Sequence, residues 1–216
     1  MLRFYLRLIL IPTILFMSIL LVIRAQSYDD HELRELLLPE GCPAPCFMGI
    51  RPNITTRDEA INLLSASGWV EMGDSTSPIE NDNFPLTLKW NGKQTRFLNA
   101  EEGFGLQIIF QRAAPQTVVQ IAFNLNTSVT IGEVYLLLGK PTMYAQTSLF
   151  LPQQGYIMSV THQFIPQGIE TRTITSCPLS FGSYWHQPTA IMTYGDPQVI
   201  LHPATLKNVL QDHQCY

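Results

Sequence analysis

Charge is scarce in this chain. Of its 216 residues 14% are charged, and 13 basic residues stand against 17 acidic ones, for a net charge of −4. A nucleic-acid partner is not expected, because neutralising phosphates takes a basic patch. No run of like charge marks a polybasic membrane patch or a charged tail. Catalytic signatures are missing too: there is no G-x-S-x-G, H-E-x-x-H or P-loop. No nucleophile, acid and base can be assembled, so no catalytic residue and no cofactor are assigned. The histidines at 31, 162, 186 and 202 are scattered, and His213 with Cys215 is the one close His/Cys pair. That spacing gives no metal site.

Threonine, proline and aromatics are plentiful instead, while charged helix formers are few. This predicts a sheet-rich fold with many turns. The strongest local signal is N-terminal. Arg3 and Arg7 precede an apolar run from Leu8 to Ile23, broken only by Pro12, Thr13 and Ser18. Those 16 residues fall between a signal-peptide core and a full span. The run has no polar face, so a buried soluble helix is a poor reading. Arginines ahead of it predict a cytoplasmic N-terminus and an exported remainder. Two fates stay open. Ala25 and Ser27 suit a cleavage site before Tyr28, giving a secreted protein. Arg24 instead suits a retained anchor, with residues 6–24 in the cytoplasmic membrane.

The cysteines are four: Cys42, Cys46, Cys177 and Cys215. An even count in an exported chain suggests disulfides. A local Cys42–Cys46 bridge leaves Cys177 with Cys215; a link from the CPAPC segment to Cys177 is the alternative.

Residues Asp29 to Leu38 can form a short helix, ended by Pro39, Glu40 and Gly41. A stiff connector comes next. Thr56 and Glu59 then form a T-x-x-E capping pair ahead of Ala60, Leu63 and Leu64, with Leu63 and Leu64 expected to face a sheet. Gly68 closes that helix. Seventy-four residues on, Thr130 and Glu133 repeat the pair ahead of Val134, Leu137 and Leu138, and Gly139 stops the helix. The pair alone is a weak signal, since Ser77 and Glu80 match it without starting an apolar helix. A shared order of cap, stripe, glycine stop and strands points to an internal repeat.

Strands are predicted over 104–111, 117–125, 155–164, 169–176 and 189–194. Asn91 and Gly92 predict a hairpin within 85–98. In 117–125, Val119, Ile121, Phe123 and Leu125 are expected to share the buried face. Residues 203–216 read as a terminal helix or tail. The fold expected is therefore α+β: two tandem modules, each a short helix or helix pair on an antiparallel sheet, after an N-terminal hydrophobic helix. The boundaries are 1–27 anchor or signal, 28–49 helix and connector, 50–125 module 1 and 126–216 module 2.

The T-x-x-E-x-x-x-L-L start, the glycine stop and the strands resemble the SmpA/OmlA (BamE)-like envelope proteins over about residues 42–200. Two such units in tandem resemble the β-lactamase-inhibitor-protein fold. The segment from Cys42 to Leu64 also resembles exported proteins of Chloroflexi-type bacteria. The resemblance implies fold and compartment only. This chain has no lipidated cysteine after the apolar run, and Asn53 stands where such motifs carry glycine.

Several residues invite sharper readings. Tyr184, Trp185 and His186 could line a pocket, though an aromatic strand under a helix is the plainer reading. Glu59 and Glu133 read as caps rather than acids. Asp196 and Asp212 lack a partner nucleophile. Asn53-Ile54-Thr55 and Asn126-Thr127-Ser128 match glycosylation sequons but sit where turns are needed. The functional expectation is a non-enzymatic exported protein that binds another envelope macromolecule through an uncharged sheet face or a helix–sheet groove. An envelope enzyme predicts instead a pocket lined by His162, His186 or Asp196. A structural spacer is the third reading.

Overall fold

A computed structural model describes residues 2–25, 31–71, 85–93, 96–99, 105–112, 114–151, 155–176 and 181–195. The chain forms two compact units, Met1–Glu32 and Leu33–Tyr216.

The first unit holds helix α1, Leu2–Ala25. Its side chains are described from residue 10 to 22, and the large apolar ones, Ile11, Leu15 and Leu21 among them, are exposed. Among the described residues no helix is long and apolar enough to cross a membrane; the apolar run in the sequence, 8–23, is longer than this described stretch.

The second unit takes helix α2 (His31–Leu37) from Leu33 onward and carries helices α3 (Arg57–Ser67), α4 (Ile131–Leu138) and α5 (Phe181–Tyr184). Its strands are β1 (Val70–Glu71), β2 (Leu86–Trp90), β3 (Leu106–Phe110), β4 (Val118–Asn124), β5 (Met143–Leu151), β6 (Gly155–Phe164), β7 (Ile169–Ser176) and β8 (Thr189–Gly195). They form one antiparallel sheet in the order β1-β2-β3-β4-β8-β7-β6-β5. This corrects the expectation of two tandem helix-on-sheet modules. β4 pairs with β8 through five consecutive residues, from Gln120↔Gly195 to Asn124↔Ile191, so no sheet boundary falls near residue 125.

One row of side chains crosses seven strands on the buried face: Leu88, Leu106, Phe123, Met192, Thr171, His162 and Tyr144. A single core cluster joins these strands to α2, α3, α4 and the Phe47–Ile50 turn. The connector belongs to this core too. Leu33, Leu36 and Leu37 are buried, and Phe47 stacks on Phe123 with ring centroids 4.4 Å apart.

Within this one sheet the same helix-start geometry occurs twice. Both Thr56–Glu59 and Thr130–Glu133 close full capping boxes. Arg57 N–H donates to Gln116 O at 2.8 Å, and Ile131 N–H donates to Gln187 O at 2.9 Å. Val118 N–H donates to Thr55 O at 2.9 Å, and Thr189 N–H to Val129 O at 2.8 Å. Each helix start is thus clipped to the first residues of β4 or β8. Both strands are buried at their first, fourth and sixth residues. The cause is a bulge in each, which leaves Val119 and Ala190 without an opposed residue. This corrects the expected alternation: Val118, not Val119, faces the core.

Three local expectations also change. Among the described residues Asn91-Gly92 makes no two-stranded hairpin; β1 takes the free edge of β2, and Asn91 N–H donates to Trp69 O at 2.9 Å. Leu64 is buried but Leu63 is 37% exposed, since the stripe of α3 runs through Ala60 and Leu64, one turn apart. Residues 181–184 form a helical turn rather than an aromatic strand.

Candidate functional site

The polar groups closest to a site lie under α4, in the half of the sheet made by β5 to β8. Alternation along β6 turns Met158, Val160, His162 and Phe164 to the buried face. His162 is fully buried there. Its Nδ1 lies 3.3 Å from Thr171 Oγ1 on β7, and its Nε2 is hydrogen-bonded to the Tyr184 hydroxyl on α5. The Tyr184 hydroxyl lies 3.5 Å from that of Tyr135 on α4. Tyr135 and Tyr144 both meet the imidazole edge to face, with centroids 5.7 Å away in each case. Trp185 closes the outer side, 5.1 Å from Tyr135.

Burial sets the electrostatics. Desolvation holds the imidazole down at about 3, against a hydrogen bond to the Thr171 backbone that acts the other way. The Tyr135 and Tyr184 hydroxyls are pushed above the ordinary phenol value, chiefly by the same desolvation. The whole chain of hydroxyls and imidazole is therefore neutral at ordinary pH. Among the described residues no carboxylate bonds to His162, and no group of three His, Cys, Asp or Glu side chains could hold a metal. The arrangement fastens β6, β7 and α5 together. A buried polar group is tolerable when so satisfied. Beside it, the Thr173 and Thr189 hydroxyls, opposite each other on β7 and β8, have no hydrogen-bond partner among the described residues.

His186, by contrast, is exposed in the turn after α5, so the structure does not bring it into the His162 network. Asp196, Asp212, Cys177, Cys215 and the expected tail helix lie outside the described residues. Glu59 and Glu133 are engaged as caps: Thr56 N–H donates to Glu59 Oε2 at 2.9 Å, and Thr130 N–H to Glu133 Oε2 at 2.8 Å. The backbone N–H of Thr56 lowers the Glu59 carboxyl. Arg57 also has a structural role, donating to Gln116 Oε1 at 3.1 Å and lying over the Phe110 ring. In the second helix Ile131 and Gly132 take the places of Arg57 and Asp58. Any side chain at 132 would meet the Trp185 carbonyl oxygen at 2.9 Å.

Asn53 adopts a left-handed φ of 63°, which explains a residue that does duty for glycine. Asn126 accepts from Ser128 N–H at 3.1 Å. Cys42 and Cys46 form a disulfide, with Cα atoms 5.9 Å apart. The loop it closes rests on the turn between β6 and β7, where Pro45 lies against Gly168.

Sequence reasoning named His162 and Tyr184 but not their link, and missed Tyr135, Tyr144 and Thr171. The available signal was a histidine on the apolar face of a strand, opposite a threonine strand. No family model, curated protein or solved structure matches this chain.

Proposed function

We propose that this is an exported, membrane-anchored, non-enzymatic protein that binds another cell-envelope macromolecule through the open face of its sheet. The observation that carries the first part is α1. Its apolar side chains from Leu10 to Val22 are exposed all round, which calls for lipid rather than water as the surroundings. Arg3 and Arg7 ahead of the apolar run support export of the remainder of the chain. The Cys42–Cys46 disulfide fits an oxidising compartment.

The non-enzymatic reading draws on the buried, neutral state of the His162 network. The groove between helices and sheet is filled by the core cluster, which leaves the open face as the binding surface. A row across it runs Thr87, Gln107, Ala122, Thr193 and Glu170 before it reaches Gln163, which is buried, so the accessible part of this row lies on β2, β3, β4, β8 and β7. Glu170 is the one charge in that row, and Lys89 and Arg172 share its face by strand alternation, which makes a surface of mixed charge suited to a neutral or mixed partner.

Photo-crosslinking groups at Thr87 and Gln107 test this in intact cells. A saturable product from both, absent from a control at the exposed His186, supports the proposal. No saturable product from either position, or equal labelling from His186, refutes it.

A further inference from the structure

The two edges of the sheet differ sharply. β1 is two residues long and ends in Glu71. β5 runs nine residues, Met143–Leu151, and pairs with β6 at every one of them without a bulge. Its sequence, MYAQTSLFL, has no charge and no proline. Edge strands are normally blunted by shortness, charge, proline or a bulge, because their free N–H and C=O groups template further pairing. β5 has none of these, and among the described residues no strand covers its outer side.

The sequence of β5 also states what would fit. In an antiparallel pair of identical strands, opposed residues are mirror positions about one centre. Centred on Thr147, the pairs are Met143 with Leu151, Tyr144 with Phe150, Ala145 with Leu149, Gln146 with Ser148, and Thr147 with itself. Apolar meets apolar and polar meets polar in every pair. Moving the centre to Gln146 sets Tyr144 against Ser148, and moving it to Ser148 sets Gln146 against Phe150. The pattern thus selects one register, and cross-strand pairs of like character stabilise it.

We propose that the outer edge of β5 is a homodimer interface, pairing antiparallel with β5 of a second copy about a two-fold axis at Thr147. The interface is isologous and continues the sheet through both copies. It does not depend on the membrane reading above.

The test uses the full chain in mild detergent. Thr147 is exposed, so substitution there leaves the fold in place. In Thr147→Cys the two thiols oppose each other at about 4.5–5.5 Å between Cα atoms, within disulfide reach. In Thr142→Cys, also exposed, the two positions lie about ten residues apart along the strands, roughly 33 Å. Oxidation should convert most of Thr147→Cys to a non-reducing dimer and leave Thr142→Cys at the wild-type level. Thr147→Lys, which opposes two like charges, should give the mass of a monomer with an unchanged circular dichroism spectrum. Equal dimer from both cysteine variants, an adduct of Thr147→Cys to a different protein in place of the dimer, or a dimer that survives Thr147→Lys would overturn the proposal.

Discussion

Tyr194 donates its hydroxyl to the backbone carbonyl oxygen of Leu37 across 2.9 Å, at a site where both residues are fully buried. The strand that carries Tyr194 lies between β4 and β7, so this bond ties the short helix α2 to the middle of the sheet. Tyr194→Phe leaves that carbonyl unpaired in the core. The expected loss is about 1–3 kcal/mol in urea unfolding. An unchanged midpoint would mean that α2 is held by its leucines alone.

His162 makes stability depend on pH. Its value lies at about 3 in the folded chain, against 6.5 for a free imidazole. Below pH 6.5 the unfolded chain binds a proton that the folded chain refuses, so stability falls as pH drops from 6.5 toward 3. The expected slope from this group approaches about 1.4 kcal/mol per pH unit. Unfolding at about pH 7.0 and about pH 5.5, above most carboxylate titration, isolates it. His162→Gln should flatten the difference; an equal slope in that variant would contradict the assignment.

The two capping boxes are unequal in setting. The bonds at Thr56 are exposed and those at Thr130 are partly buried, with Thr130 Oγ1 also 3.0 Å from Glu133 Oε2. Thr56→Ala and Thr130→Ala should each cost about 0.5–2 kcal/mol, with the larger loss at Thr130. Chemical denaturation of the two variants decides the order.

Asn53 is held at positive φ and donates its N–H to Val118 O at 2.6 Å. Asn53→Gly should be neutral within about 0.5 kcal/mol. Asn53→Val, which resists the left-handed region, should lose about 1–2 kcal/mol. A thermal melt in which both behave alike would show that backbone strain is not what the position controls.

Much of the local structure was legible. Thr-x-x-Glu before an apolar stripe marks a helix start at both places, and strands β6 and β7 have the bounds their alternation gives. The sheet as a whole was not legible. Nothing in Gln120 or Thr193 says that β4 and β8 will be neighbours, because pairing between distant strands leaves no local pattern. Their bulges were hidden for the same reason: Val119 and Ala190 are displaced by strands β3 and β7, not by their own sequence. β5 escaped notice since MYAQTSLFL does not alternate. The His162 network depends on Tyr135 and Tyr184, 49 residues apart, which only the tertiary fold brings together.

An exported, anchored chain with an oxidised CPAPC loop is the account's core, and the mass of the mature protein tests it in one measurement. Protein taken from membranes is alkylated without reductant, then again after reduction, and weighed intact. The expected result is a chain that keeps residues 1–27, with Cys42 and Cys46 alkylated only after reduction. A full-length chain alkylated at both cysteines without reductant would contradict export, and a chain beginning at Tyr28 would contradict the anchor.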